Sequence, residues 1–162
     1  MNISYIDTKK REDFPEYEEL FRLVESFMGY LPYSYLLMAD KPELLEAFAK
    51  MSAAVFNTVS LDMQSKQLIA LASSLSSGCK YCQSHTSHGA ERAGVTNEKI
   101  ADILNYQNSE HYDAKEIALL DLAFASGEVP NGATKIHFDN LGKYYTKPVS
   151  YTHLTLPTTP YV

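Results

Sequence analysis

Two cysteines, the only ones in the chain, sit three residues apart in the run Cys79-Lys80-Tyr81-Cys82. On a helix, positions i and i+3 lie about 60° apart, so the two thiols share one side of a turn. That geometry suits a dithiol that closes to a disulfide and reopens. The preceding Ser76-Ser77-Gly78 breaks one helix and places the pair in the first turn of the next. Unpaired backbone N–H groups and the helix dipole there favour an anion. A thiol pKa is thereby lowered from its free value of about 8.5, and Lys80 adds to the effect. His85 follows Cys82 by three residues, on an adjacent face. A neutral imidazole there can take the thiol proton or relay it through water.

Other chemistries compete for the same residues. Cys79, Cys82, His85 and His88 have the form C-x2-C-x2-H-x2-H, which invites zinc. On one continuous helix, however, His88 lies about 180° from Cys79, so the four cannot converge on an ion. No metal site is expected. Haem attachment needs a histidine directly after the second cysteine, where this chain has Gln83. The plainest alternative is a pair of small buried hydrophobes, which free cysteines often are. Spacing at a helix start, with a histidine following, favours redox use. His111, His137 and His153 are isolated in the pattern, and no role is assigned to them.

The elements that position these residues read as helices nearly throughout. Asp13 is a candidate cap for a first helix with Pro15 in its first turn, and Leu20, Leu23, Val24 and Phe27 follow the helical spacing up to Gly29. Pro32 opens a short helix over 33–38. A third helix starts at Pro42, with Leu44, Leu45, Phe48, Met51, Ala54 and Val55 as its buried stripe. The next runs over 63–75, capped by Asp62 and lined by Leu68, Leu71, Ala72 and Leu75. A helix beginning near Cys79 continues to about Ala93, with Gly94 at C′. Thr96 caps a helix bearing Ile100, Ile103 and Leu104; 107–113 is a loop; 114–126 is helical; 127–132 is a turn; and 133–145 closes the series. No alternating strand pattern occurs, so the predicted fold class is all-α.

Composition agrees with a globular chain: 45% hydrophobic and 21% charged over 162 residues. Fourteen basic against twenty acidic side chains give a net charge of −6. That balance argues against nucleic acid or an anionic membrane as partner. No apolar run reaches the ~18 residues that a membrane span needs. The first residues carry neither a basic nor an apolar leader pattern, so the cytoplasm is the expected compartment. Two cysteines are too few for a disulfide scaffold.

After Lys147 the character changes. Residues 149–162 hold no charge and no helical period. The run 149–158 is similar to the translation of a common transposase-based sequencing adapter. The expected organisation is therefore one helical domain over 1–147 and a non-native tail over 148–162.

From Ser65-Lys66-Gln67-Leu68 through Gly78-Cys79-Lys80-Tyr81-Cys82-Gln83-Ser84-His85-Thr86, and on to Ala93-Gly94-Val95-Thr96-Asn97-Glu98-Lys99-Ile100, the chain resembles the carboxymuconolactone decarboxylase/AhpD-like family. The resemblance implies an all-helical domain that forms a trimer or hexamer. It also implies hydroperoxide reduction without a bound cofactor, and a lipoyl-type or thioredoxin-like reductant. Carried over residue by residue, Cys82 is the peroxidatic nucleophile, and Cys79 resolves its sulfenic acid into a disulfide. Decarboxylating members typically lack the cysteine pair, which disfavours lyase chemistry. Chains of this kind also continue into further helix, so a last helix is expected to be missing.

Two positions depart from the family pattern. The proton-relay glutamate, twelve residues before the first cysteine, is Gln67, and an amide cannot take a proton. The family histidine, four residues after the second cysteine, is Thr86, with His85 one step earlier. The site is therefore expected to consist of Cys82, Cys79, His85 and Gln67, with slow peroxidase turnover. General dithiol–disulfide exchange and a non-enzymatic redox-sensing oligomer are the alternatives.

Overall fold

A computed structural model describes residues 9–57 and 60–146. Among them are eight α-helices, three short 3-10 turns and no strand. The helices are α1 (Glu18–Met28), α2 (Tyr33–Met38), α3 (Pro42–Phe56), α4 (Met63–Ser76), α5 (Lys80–Arg92), α6 (Asn97–Ala101), α7 (Ala114–Gly127) and α8 (Lys135–Leu141). Contacts divide the chain after Ala54 into two compact units. The tail assigned to 148–162, and His153 within it, lie outside the described residues.

In the first unit, Phe21 and Leu45 are fully buried among Phe14, Val24, Tyr35 and Ala39. Tyr35 meets Phe48 edge to face at 5.6 Å, an arrangement that aromatic quadrupoles favour. Arg11 holds the helix start electrostatically, with Nε and Nη2 donating to the two Glu18 oxygens at 2.8 and 3.0 Å. The first helix begins later than the sequence suggests. Asp13 ends one 3-10 turn, Pro15 heads a second, and α1 starts only at Glu18. The expected stripes are also incompletely covered. Leu45 and Val55 are buried, but Leu44 on α3, and Leu23 and Phe27 on α1, remain exposed.

The second unit is built around α4, which packs against both α5 and α7. Leu68, Ile69, Leu71 and Ala72 of α4 meet Leu119, Leu120, Leu122 and Ala123 of α7 in a buried core. Small residues let the two helices close up. Gly127 has no room for a side chain, because a β-carbon there would lie 2.8 Å from the Ser73 carbonyl oxygen. The hydroxyls in this seam are satisfied across it, with Ser76 Oγ donating to the Phe124 carbonyl at 2.6 Å. A buried polar group left without such a partner would cost about 1–3 kcal/mol.

Two boundaries and one side chain differ from the sequence reading. The segment 107–113 is not wholly loop, since a 3-10 turn (Ile103–Asn108) enters it. Leu104 points outward and is 73% exposed, because that turn lacks the 3.6-residue period on which its placement was based. The last helix covers Lys135–Leu141 rather than 133–145. Among the described residues, no helix is long and apolar enough to cross a membrane.

Candidate active site

Helix α4 ends in a motif that builds the start of α5. Gly78 sits at φ +71°, the left-handed conformation that glycine adopts without steric cost. Its N–H donates to the Leu75 carbonyl at 3.2 Å, and the Cys79 N–H donates to the Ser74 carbonyl at 3.1 Å. These two bonds form a Schellman stop for α4. Cys79 is at once the N-cap of α5: its Sγ accepts the backbone N–H of Cys82 at 3.3 Å. Gln83 adds a clamp, its Nε2 donating to the same Ser74 carbonyl at 3.2 Å.

This turn brings the two cysteines together. Their Cα atoms are 5.3 Å apart and their sulfurs are joined as a disulfide. Both residues are half-buried. The expected helix start near Cys79 therefore holds, with the refinement that Cys79 caps the helix and Lys80 is its first residue.

The other expected residues take up different positions around the pair. His85 is half-buried one turn beyond Cys82, and burial, helped by the charge of His88, pushes its pKa below the ordinary histidine value. A depressed pKa keeps the imidazole neutral near pH 7, the form that can accept a proton. The Tyr81 ring lies parallel to His85, with centroids 5.9 Å apart and planes 15° from parallel. Gln67, on α4 and only 8% exposed, reaches across to α5 at Gly89, two turns beyond Cys82. A β-carbon on Gly89 would come within 2.5 Å of Gln67 Oε1, so the amide end of that side chain would have to shift to admit it. Thr86, at the family histidine position, is turned away from chemistry: its hydroxyl donates to the Cys82 carbonyl at 2.7 Å.

The sequence reading did not single out Tyr81, Gln83 or Gly89. The i, i+4 spacing of Tyr81 and His85 was the available signal for the first. For the other two, the partner lies on α4, and nothing local in α5 reveals it. Lys80 is exposed and lines a groove of about 520 Å³ with Gln83 and Ser87 over Leu71, Leu75 and Ile103. Neither cysteine lines that groove. Among the described residues, no group of three or more His, Cys, Asp or Glu side chains converges as a metal site.

A cysteine pair at the head of a helix in an all-α fold points to a class, and comparison with known proteins agrees. The chain belongs to the carboxymuconolactone decarboxylase family, whose model matches residues 42–125. The all-α, AhpD-like fold also matches solved structures over nearly its full length. One is the debrominase Bmp8, as a C82A variant in complex with 2,3,4-tribromopyrrole: 32% identity, TM-score 0.88, with 97% of this chain and 84% of that chain covered. The apo form of the same debrominase matches with TM-score 0.87, again at 32% identity, covering 96% and 84% of the two chains. Among curated proteins, uncharacterized protein 4 in the cox locus of Paracoccus denitrificans is 39% identical over 59 residues, which are 36% of this chain. The match spans 53% of that relative's length.

Proposed function

We propose that this protein is a thiol-dependent reductase whose Cys79/Cys82 pair reduces hydroperoxides. The observation that carries the reading is the closed pair at the start of α5, with a desolvated His85 one turn on. In the reduced protein, His85 accepts the Cys82 proton. The thiolate attacks the terminal peroxide oxygen, the O–O bond breaks, and the leaving alkoxide takes a proton to become an alcohol. Cys82 is then a sulfenic acid. The Cys79 thiolate attacks its sulfur, expelling hydroxide, which is protonated to water, and the disulfide forms. A lipoyl-type or thioredoxin-like dithiol returns two electrons. Gln67 offers no proton to the leaving group, so turnover is slow.

A second reading replaces the peroxide by a carbon–halogen bond, and the debrominase neighbours favour it. The Cys82 thiolate takes the halogen from a brominated aromatic, the ring carbon takes a proton, and Cys79 displaces bromide to leave the same disulfide. Both readings share the dithiol and differ in the electrophile. Exposed Leu23, Phe27, Leu44 and Leu104 support self-association into a trimer or hexamer.

Stopped-flow oxidation of the reduced protein by an organic hydroperoxide tests the first reading. A rapid phase lost in Cys82→Ser supports it, and a wild-type trace no faster than that of the variant sinks it. Bromide release from a brominated pyrrole, under the same conditions, tests the second.

A further inference from the structure

We infer that Cys79 is the more acidic thiol of the pair and the leaving group when a reductant opens the disulfide, so that the incoming thiolate attacks Cys82. The inference rests on the dithiol reading above but on neither electrophile. It divides labour in an unexpected way, since the cysteine expected to attack substrate is not the one that ionises first.

The reason lies in the hydrogen bond at the head of α5. Cys79 Sγ occupies the N-cap position and accepts the Cys82 N–H at 3.3 Å. A hydrogen bond donated to a charged acceptor is roughly twice as strong as one to a neutral acceptor. The bond therefore strengthens as negative charge gathers on that sulfur. No N–H among the described residues donates to Cys82 Sγ. The 13 residues of α5 add their dipole at the same end.

Nothing charged nearby reverses this preference. On α5, the titratable groups by the pair are Lys80, a cation next to Cys79, and His85, held neutral by burial. From α4, Ser74 and Gln67 face α5, and both are uncharged. The whole run 63–90 contains no carboxylate. On α6, which also packs against α5, Glu98 is exposed and Lys99 is paired with Glu116 at 2.5 Å.

The consequence is a direction for the reductive half-reaction. Thiol–disulfide exchange is faster when the departing thiol has the lower pKa. A reductant thiolate attacks Cys82 Sγ, the sulfur–sulfur bond breaks, and Cys79 departs as a thiolate held by the Cys82 N–H. The reductant's second thiol then attacks its own sulfur in the mixed disulfide. Cys82 is released as a thiolate, and the reductant leaves as a cyclic or internal disulfide, two electrons poorer.

Lys80 makes the test direct, because trypsin cleaves after it and separates the two cysteines into different peptides. The full chain is oxidised with diamide, exposed briefly to glutathione, quenched with acid and alkylated. Mass spectrometry then locates each modification. Glutathione should reside on Cys82 and the alkyl group on Cys79, by about tenfold or more. Glutathione mainly on Cys79, or spread evenly, overturns the inference. On the reduced protein, alkylation against pH should give Cys79 an apparent pKa below the free-thiol value of about 8.5, and below that of Cys82. The reverse order also overturns it. No peroxide or halide enters either measurement, so an inactive protein and a wrong polarity give different results.

Discussion

Gln67 and Gly89 interlock: the amide of one occupies the space that a β-carbon on the other would need, 2.5 Å from Oε1. Adding that carbon has two opposed effects. Alanine improves helix propensity by about 1 kcal/mol over glycine, while overpacking costs about 1–3 kcal/mol. Gly89→Ala should therefore lower stability in the native background. In a Gln67→Ala background it should raise stability by about 1 kcal/mol. Urea unfolding of the four proteins in this cycle checks the sign change, and additive effects would show that the two side chains do not interlock.

Gln67→Glu restores a group that can carry a proton at the family position. The buried site pushes a carboxyl pKa upward, so the acid is available near neutral pH. Hydroperoxide oxidation of the reduced variant should be severalfold faster than wild type. The gain should decline at higher pH as the acid ionises. A rate equal to that of wild type in stopped-flow would show that position 67 does not reach the reacting oxygen.

His85 makes stability depend on pH. Burial lowers its pKa in the folded chain, so between that value and the unfolded value of about 6.5 the unfolded chain binds more protons. This contribution is complete above about 6.5 and is lost as the pH falls through the folded pKa. Unfolding midpoints between pH 5 and 8 should fall on the acid side, and less steeply in His85→Gln. Tyr81→Ala exposes the imidazole and should raise its pKa, read by NMR titration of the ring.

Lys66 is a buried cation with a structural task. Its Nζ donates to the Phe56 carbonyl at 2.7 Å, and burial pushes its pKa down against the opposing charge of Asp62. Lys66→Met removes the donor and should cost about 1.5–3 kcal/mol in urea unfolding, the range for a hydrogen bond made by a charged group. Because the ammonium pKa is depressed on folding, wild-type stability should rise between the folded pKa and the unfolded value of about 10.4. The variant should lack this rise.

Gly78→Ala has room for its methyl but not the backbone freedom. At φ +71°, with nothing within 4 Å, the cost is conformational alone, about 1–2 kcal/mol. The same change disturbs the Schellman stop and with it the position of Cys79. Disulfide reduction by dithiothreitol should change in rate in this variant, and a rate equal to that of wild type would show that the turn at Gly78 does not set the position of Cys79.

The helical class and the dithiol were legible in the sequence because both are local. Cap residues Asp62 and Thr96 stand where the structure uses them, and the Ser-Ser-Gly break locates the turn before Cys79. What was not legible depends on distant partners. Arg11 reaches Glu18 and Glu25 from a 3-10 turn, and α1 begins past the apparent cap at Asp13. Gly89 looks like a weak point in a helix until Gln67 is seen to fill its place. Thr86 resembles a vacant catalytic position in the sequence. In the structure its hydroxyl is bound back to the Cys82 carbonyl one turn earlier.

Cys79 carries two structural duties besides its chemistry: its N–H closes α4 and its sulfur opens α5. Experiments that delete the thiol therefore also delete a joint, unless the replacement can still cap. Serine can, and ranks among the best N-cap residues, whereas alanine costs about 0.5–2 kcal/mol at such a position. Cys79→Ser is thus the control that separates lost redox chemistry from lost architecture. A descendant of this chain that abandoned thiol chemistry would have its easiest route through a side-chain oxygen at position 79.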